Sequence, residues 1–163
     1  MRRAVGLTLI ELLVVLAITG LLLGIGAFAL TSLHGKTRAQ GYLHALGEAI
    51  QQATSQANAQ NQLYALILSP QGFSWGPISS SSISACEASQ PTLSSVVSSD
   101  PLPPGLSQTT GWLCISPPGL IHHLSSLSST CTYQGYSVTC IQLSGTNFQA
   151  SILVSDTGGV LLQ

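Results

Sequence analysis

Charge is what this chain has least of. Asp, Glu, Lys and Arg make up 6% of its 163 residues, against about 25% in an average soluble domain. The four basic side chains are Arg2, Arg3, Lys36 and Arg38. A surface that neutralises nucleic-acid phosphates needs clustered Lys and Arg, so direct nucleic-acid binding is not expected. Also missing are a phosphate-cradling glycine loop, a carboxylate dyad and any C-x-x-C pair. No cofactor and no metal are expected from these absences. Serine, threonine, asparagine and glutamine supply the polarity instead.

Polarity is thinnest at the start. From Leu7 to Leu33 the chain is apolar, relieved mainly by Thr8, Thr19, Thr31 and Ser32. As a helix this run would extend about 40 Å, enough to span a bilayer core of about 30 Å with some tilt. It is too long for the core of a secretory signal peptide. It contains no proline; Gly20, Gly24 and Gly26 loosen it, each costing about 1 kcal/mol against alanine. Glu11 is the only formal charge between Arg3 and Lys36. An acid at the middle of a membrane helix costs about 2.5–3.5 kcal/mol, less near an end, so Glu11 should have a partner. Cutting the chain after Gly6 would place a new amino group on Leu7, one helical turn from Glu11, where the helix macrodipole also favours a carboxylate.

Residues 6–18, Gly-Leu-Thr-Leu-Ile-Glu-Leu-Leu-Val-Val-Leu-Ala-Ile, resemble the class III signal of type IV pilins and type II secretion pseudopilins. The resemblance implies cleavage by prepilin peptidase between Gly6 and Leu7, and N-methylation of Leu7. It makes Glu11 the assembly carboxylate, paired with the N-terminus of a neighbouring subunit in a helical filament. It also implies an inner-membrane assembly platform, other pilin or pseudopilin subunits as partners, and a bacterial inner-membrane location with the C-terminal domain in the periplasm. Leu7 departs from the phenylalanine usual at that position.

Beyond the apolar run, Ala39, Leu43, Leu46, Ile50, Ala53 and Ala57 recur at helical spacing and draw one apolar stripe. Lys36, Arg38, Glu48, Gln51 and Gln52 lie opposite. One helix is expected from about Leu7 to about Gln60, its second half packed under a sheet; a coiled-coil seam is the other use of such a stripe. Strands are expected at 62–69, 73–75, 112–116, 120–124, 130–134, 137–143, 147–155 and 160–162. The region from Pro77 to Ser107 reads as a long surface loop or insertion. The organisation is thus leader 1–6, transmembrane half-helix 7–33, amphipathic half-helix 34–60 and a β-rich extracytoplasmic domain 61–163, an α+β, pilin-like fold.

The four cysteines point to an oxidising compartment. A two-residue turn at Gly135-Tyr136 would set Cys131 opposite Cys140, within the reach of a disulfide. Cys86 and Cys114 are then left to fasten the serine-rich region. The order of elements, with Ala45–Ile50 and Ile152–Val160, further resembles the H-type, GspH/FimT-like minor pseudopilins, although Gly159 stands where an arginine is usual.

Two motifs offer other chemistry. Gly72-Phe73-Ser74-Trp75-Gly76 matches G-x-S-x-G, with Asp100 and His122 following in hydrolase order. A nucleophile elbow needs a strand running into a helix, and here Pro77 and a run of serines follow; a hairpin strand with core aromatics fits better, and no catalytic residue is expected. His122 and His123, adjacent on a strand, point to opposite faces and do not share an ion easily. The favoured reading is a subunit of a type II secretion pseudopilus for protein export. A minor type IV pilin for adhesion, motility or DNA uptake is the alternative, and a membrane-anchored binding domain that never polymerises is the rival class.

Overall fold

The computed structural model describes residues 9–79, 82–122, 127, 130–134, 136–145 and 148–162, with the side chains of 25–34, 130 and 136–139 excepted. It divides into two compact units, Met1–Thr37 and Arg38–Gln163. Helix α1, Leu9–Gln60, supplies the described part of the first and opens the second.

In the second unit the expected stripe is buried. Ala39, Leu43, Leu46, Ile50, Ala53 and Ala57 are all in the core, joined by Tyr42 and Ala49. Lys36, Arg38, Glu48, Gln51 and Gln52 are exposed. The small residues let strands approach the helix closely, while each large one gains about 1.5–3 kcal/mol from leaving water. The helix stops at Asn61, whose φ of 50° lies in the left-handed region. The Gln62 amide then bonds back to the Ala57 carbonyl at 3.3 Å, satisfying one of the last helix carbonyls in the manner of a Schellman cap.

Two antiparallel sheets follow. The first has the order β3-β2-β1-β5-β6, built from β1 (Tyr64–Ser69), β2 (Gly72–Pro77), β3 (Ser98–Pro101), β5 (Gly111–Ser116) and β6 (Leu120–His122). The second runs β10-β9-β8-β4, with β7 also on β8; here β4 is Leu106–Gln108, β7 Thr130–Tyr133, β8 Tyr136–Gly145, β9 Phe148–Val154 and β10 Val160–Leu162. The α1 stripe shares one core with Leu66, Trp75, Leu113 and Ile115 of the first sheet and Ile141, Leu143, Ile152 and Val154 of the second.

Central strand β1 is buried on both faces. Tyr64, Leu66 and Leu68 join the main core, whereas Ala65 belongs to a smaller cluster with Ile78, Cys86 and Cys114. Covering that second face is the work of the serine-rich region, and here the expectation of a loop is corrected. Residues 77–107 contain helix α2 (Ile83–Ala88), β3 and the start of β4. Ser82 caps α2, its hydroxyl accepting from the Ala85 amide. Ile83 and Leu93 pack on the cluster, and Cys86 is bonded to Cys114. The apolar residues are too sparse for a helical period to show, because a single crosslink does most of the fastening.

A second correction concerns register. The β7–β8 hairpin closes on Tyr133↔Tyr136, and Cys131 stands opposite Val138, not Cys140. Gln134 takes the left-handed φ of 49°, so the turn sits one residue earlier than Gly135-Tyr136. The Cys131–Cys140 disulfide forms regardless, on the diagonal, with Cα atoms 5.8 Å apart. That lies inside the 4.4–6.8 Å range for a disulfide, and strand twist brings one diagonal of a hairpin closer than the other.

Candidate functional site

Glu11 occupies the first turn of α1 and is exposed. Gly6 and Leu7, the expected cleavage and methylation positions, lie outside the described residues. Around Glu11 the helix surface is apolar on every side: Leu9 is 77% exposed, Leu16 60% and Leu23 75%. Its one hydroxyl in this stretch is silenced locally, since Thr19 Oγ1 donates to the Val15 carbonyl at 2.6 Å and lies 3.1 Å from that of Leu16. An all-round apolar helix is stable only in lipid or among other helices. Among the described residues no helix is long and apolar enough to cross a membrane; the apolar side chains described run from Leu9 to Leu23, so the span rests on the sequence.

The G-x-S-x-G motif is structural. Phe73 and Trp75 are buried and stack against Tyr42 and Tyr64, with ring centroids 5.5 and 6.1 Å apart. Ser74 stands opposite Ser99 on β3. The two glycines give room to backbone: a Cβ on Gly72 would run into the Asp100 carbonyl oxygen, and one on Gly76 into that of Ser95. Spacing within the motif did not reveal this, because the carbonyls that the two glycines meet belong to another strand and loop.

Polar links tie the helix to the strands. Tyr42 Oη donates to Gln108 Oε1 at 2.7 Å, and Gln108 Nε2 donates to the carbonyls of Ser69 at 2.7 Å and Gly72 at 3.0 Å. Burial pushes the Tyr42 hydroxyl up to about 12; the Gln108 hydrogen bond opposes this and the Asp100 charge adds to it. Thr54 receives two turns, those at Gly119 and Gly158, both glycines with positive φ and both in close approach to it. The 155–159 turn is closed by Ser155 N→Gly159 O at 2.9 Å and tied to β6 by Ile121 N→Asp156 O at 2.7 Å.

His122 has found partners that the sequence reading missed. Its Nε2 is 2.8 Å from Ser116 Oγ, and its Nδ1 is 3.6 Å from Glu87 Oε1. Ser116 and His122 flank one hairpin, and α2 delivers Glu87. His123 lies outside the described residues. Among those described, no group of three or more His, Cys, Asp or Glu is placed to hold a metal ion.

The sequence matches the model for the prokaryotic N-terminal methylation motif over residues 1–27. The fold is similar to the type IV minor pilin FimU of Pseudomonas aeruginosa strain PAO1. Against one crystal form the TM-score is 0.55 at 12% identity, covering 78% of this chain and 90% of FimU. Against a second form the values are 0.53 and 12%, covering 76% and 91%. The fold is pilin-like. At this identity the likeness to FimU is one of fold. No curated protein matches the sequence. The two disulfides, Cys86–Cys114 and Cys131–Cys140, leave no free thiol.

Proposed function

We propose that this pilin-like chain is a minor filament subunit, held in the bacterial inner membrane by residues 7–33 and released into a filament by helix packing. Prepilin peptidase cuts between Gly6 and Leu7, the Leu7 nitrogen is methylated, and Glu11 pairs with that terminus on a neighbouring subunit. The observation that carries the reading is the conjunction of the methylation motif over residues 1–27 with a pilin-fold domain after it. The exposed, all-round apolar surface of α1 near Glu11 supports it, as do two disulfides that suit an oxidising compartment. Glu11 would set register: a subunit out of place leaves a lone charge in an apolar surrounding, which costs several kcal/mol.

Mass spectrometry of the extracted protein tests this directly. The expected N-terminus is methylated Leu7; protein that retains Met1 and never enters a polymer ends the proposal. Glu11→Ala should be processed normally but incorporate poorly, whereas replacing Gly6 should block cleavage.

Two destinations share this chemistry. The export pseudopilus rests on the H-type resemblance of Ile152–Val160, while the fold likeness to a type IV minor pilin favours a pilus. Deleting the gene and measuring both protein export and pilus number separates them. DNA capture by the domain itself is the weaker use, since no Lys or Arg follows Arg38.

A further inference from the structure

From Ala39 to Gln163 the chain has no Lys and no Arg. Its acids are Glu48, Glu87, Asp100 and Asp156, and its histidines are His44, His122 and His123. A domain of this length and average composition would carry about 30 charged side chains, about half of them cationic. No charged residue is buried among those described. Glu48 and His44 are exposed on α1, Asp100 at the end of β3 and Asp156 in the last turn. Asp100 acts on the Tyr42 hydroxyl, and Glu87 of α2 faces His122 of β6 at 3.6 Å, their side chains 40% and 33% exposed.

Acid unfolds most proteins by two routes. It protonates carboxylates that the fold holds against Lys or Arg, and it accumulates positive charge that pushes the compact chain apart. The first route finds no Lys or Arg in this stretch to part from a carboxylate. The Glu87–His122 contact is partly exposed, of the kind that contributes little. The second route is short. With every carboxylate neutral and every histidine charged, the formal charge of residues 39–163 moves from −4 to +3, where an average domain would reach about +15. Repulsion grows as the square of charge, so here it is about twenty-five times smaller.

What holds the unit together is indifferent to protons in acid. Its core is apolar. At polar contacts hydroxyls and amides meet: Ser107 Oγ lies 2.9 Å from Ser144 Oγ between β4 and β8, and Tyr64 Oη donates to Gln60 Oε1 at 2.9 Å. The two disulfides gain from acid, since exchange requires a thiolate. We propose that residues 39–163 form an acid-tolerant domain, built to keep its fold at about pH 2 and so to face a strongly acidic medium. The inference does not depend on the filament reading.

The test uses the full chain in non-ionic detergent micelles at low salt. Its two tryptophans, Trp75 and Trp112, both lie in this unit, so their emission reports its unfolding whatever the apolar helix does. The melting midpoint at pH 2 should lie within about 5 °C of that at pH 7. A lysine set at exposed positions, Gln51→Lys, Gln52→Lys, Gln71→Lys, Gln90→Lys and Gln149→Lys, raises the formal charge in acid from +3 to +8. It should lose at least about 5 °C more than the parent between the same two pH values. The matching set of Gln→Glu substitutions adds no charge in acid and should melt at pH 2 as the parent does. A larger fall in the parent, a lysine set as acid-proof as the parent, or a glutamate set that falls in acid with the lysine set overturns the proposal. The second of these outcomes would place the tolerance in the core and the disulfides and not in the missing charge.

Discussion

Helix α1 contains two stretches of equal apolar appetite and opposite fates. Between Leu9 and Leu23 the large side chains are exposed, Leu16 by 60%. Between Ala39 and Ala57 the apolar side chains form one stripe and nearly all are sealed, Leu46 and Ile50 completely. The second stretch has a polar side and finds its cover within the chain, in two sheets. The first has no polar side and finds none among the described residues. What decides whether a helical segment is finished is therefore the width of its apolar surface: a stripe can be matched by one domain, whereas a full cylinder needs lipid or several other helices.

That contrast can be broken by substitution. The largest effect is expected from Leu46→Ala, which empties a sealed core position and should cost about 2–5 kcal/mol in unfolding free energy. Ala53→Leu adds volume where none is free and should cost about 1–3 kcal/mol; Ala17→Leu, the same change in the exposed stretch, should be silent in the same melt. Tyr42 belongs to the sealed stretch, and its hydroxyl is raised to about 12 from about 10 in the unfolded chain. Its contribution is complete below pH 10 and lost as the pH climbs from 10 toward 12, so Tyr42→Phe should flatten the alkaline fall in melting temperature over that window. The smallest effect is expected from Leu16→Ala, within about 0.5 kcal/mol in the domain's unfolding. If Leu16→Ala destabilises the domain as Leu46→Ala does, the two stretches are not different in kind.

The elements that could be read in advance were those with a strong local signal. The six stripe positions of α1, the hairpin through Pro70 and Gln71, and the pairing of β9 with β10 all carry period or turn chemistry within a few residues. Register was harder. Gln134 has no sequence mark of a left-handed residue, so glycine at 135 drew the turn toward itself and shifted Cys131 from Val138 to Cys140. Helix α2 was illegible for a different reason: its stability comes from Cys86, Ile83 and a bond from Trp112, partners separated in sequence by up to twenty-eight residues. Of the candidate site, Glu11 was legible because a charge in an apolar run is conspicuous. The approach of Ser116, His122 and Glu87 was not, because three common residues on a hairpin and a short helix leave no pattern.

The distribution of cations has a practical edge. Lys36 and Arg38 are exposed on α1, the compact second unit begins at Arg38, and no further Lys or Arg follows. Trypsin therefore has its last cutting point at the head of that unit and can release residues 39–163 in one piece. Survival of that fragment would say nothing about whether it is folded; chymotrypsin, which finds Tyr64, Phe73, Trp75 and Trp112 within it, is the protease whose failure to cut would report an intact domain.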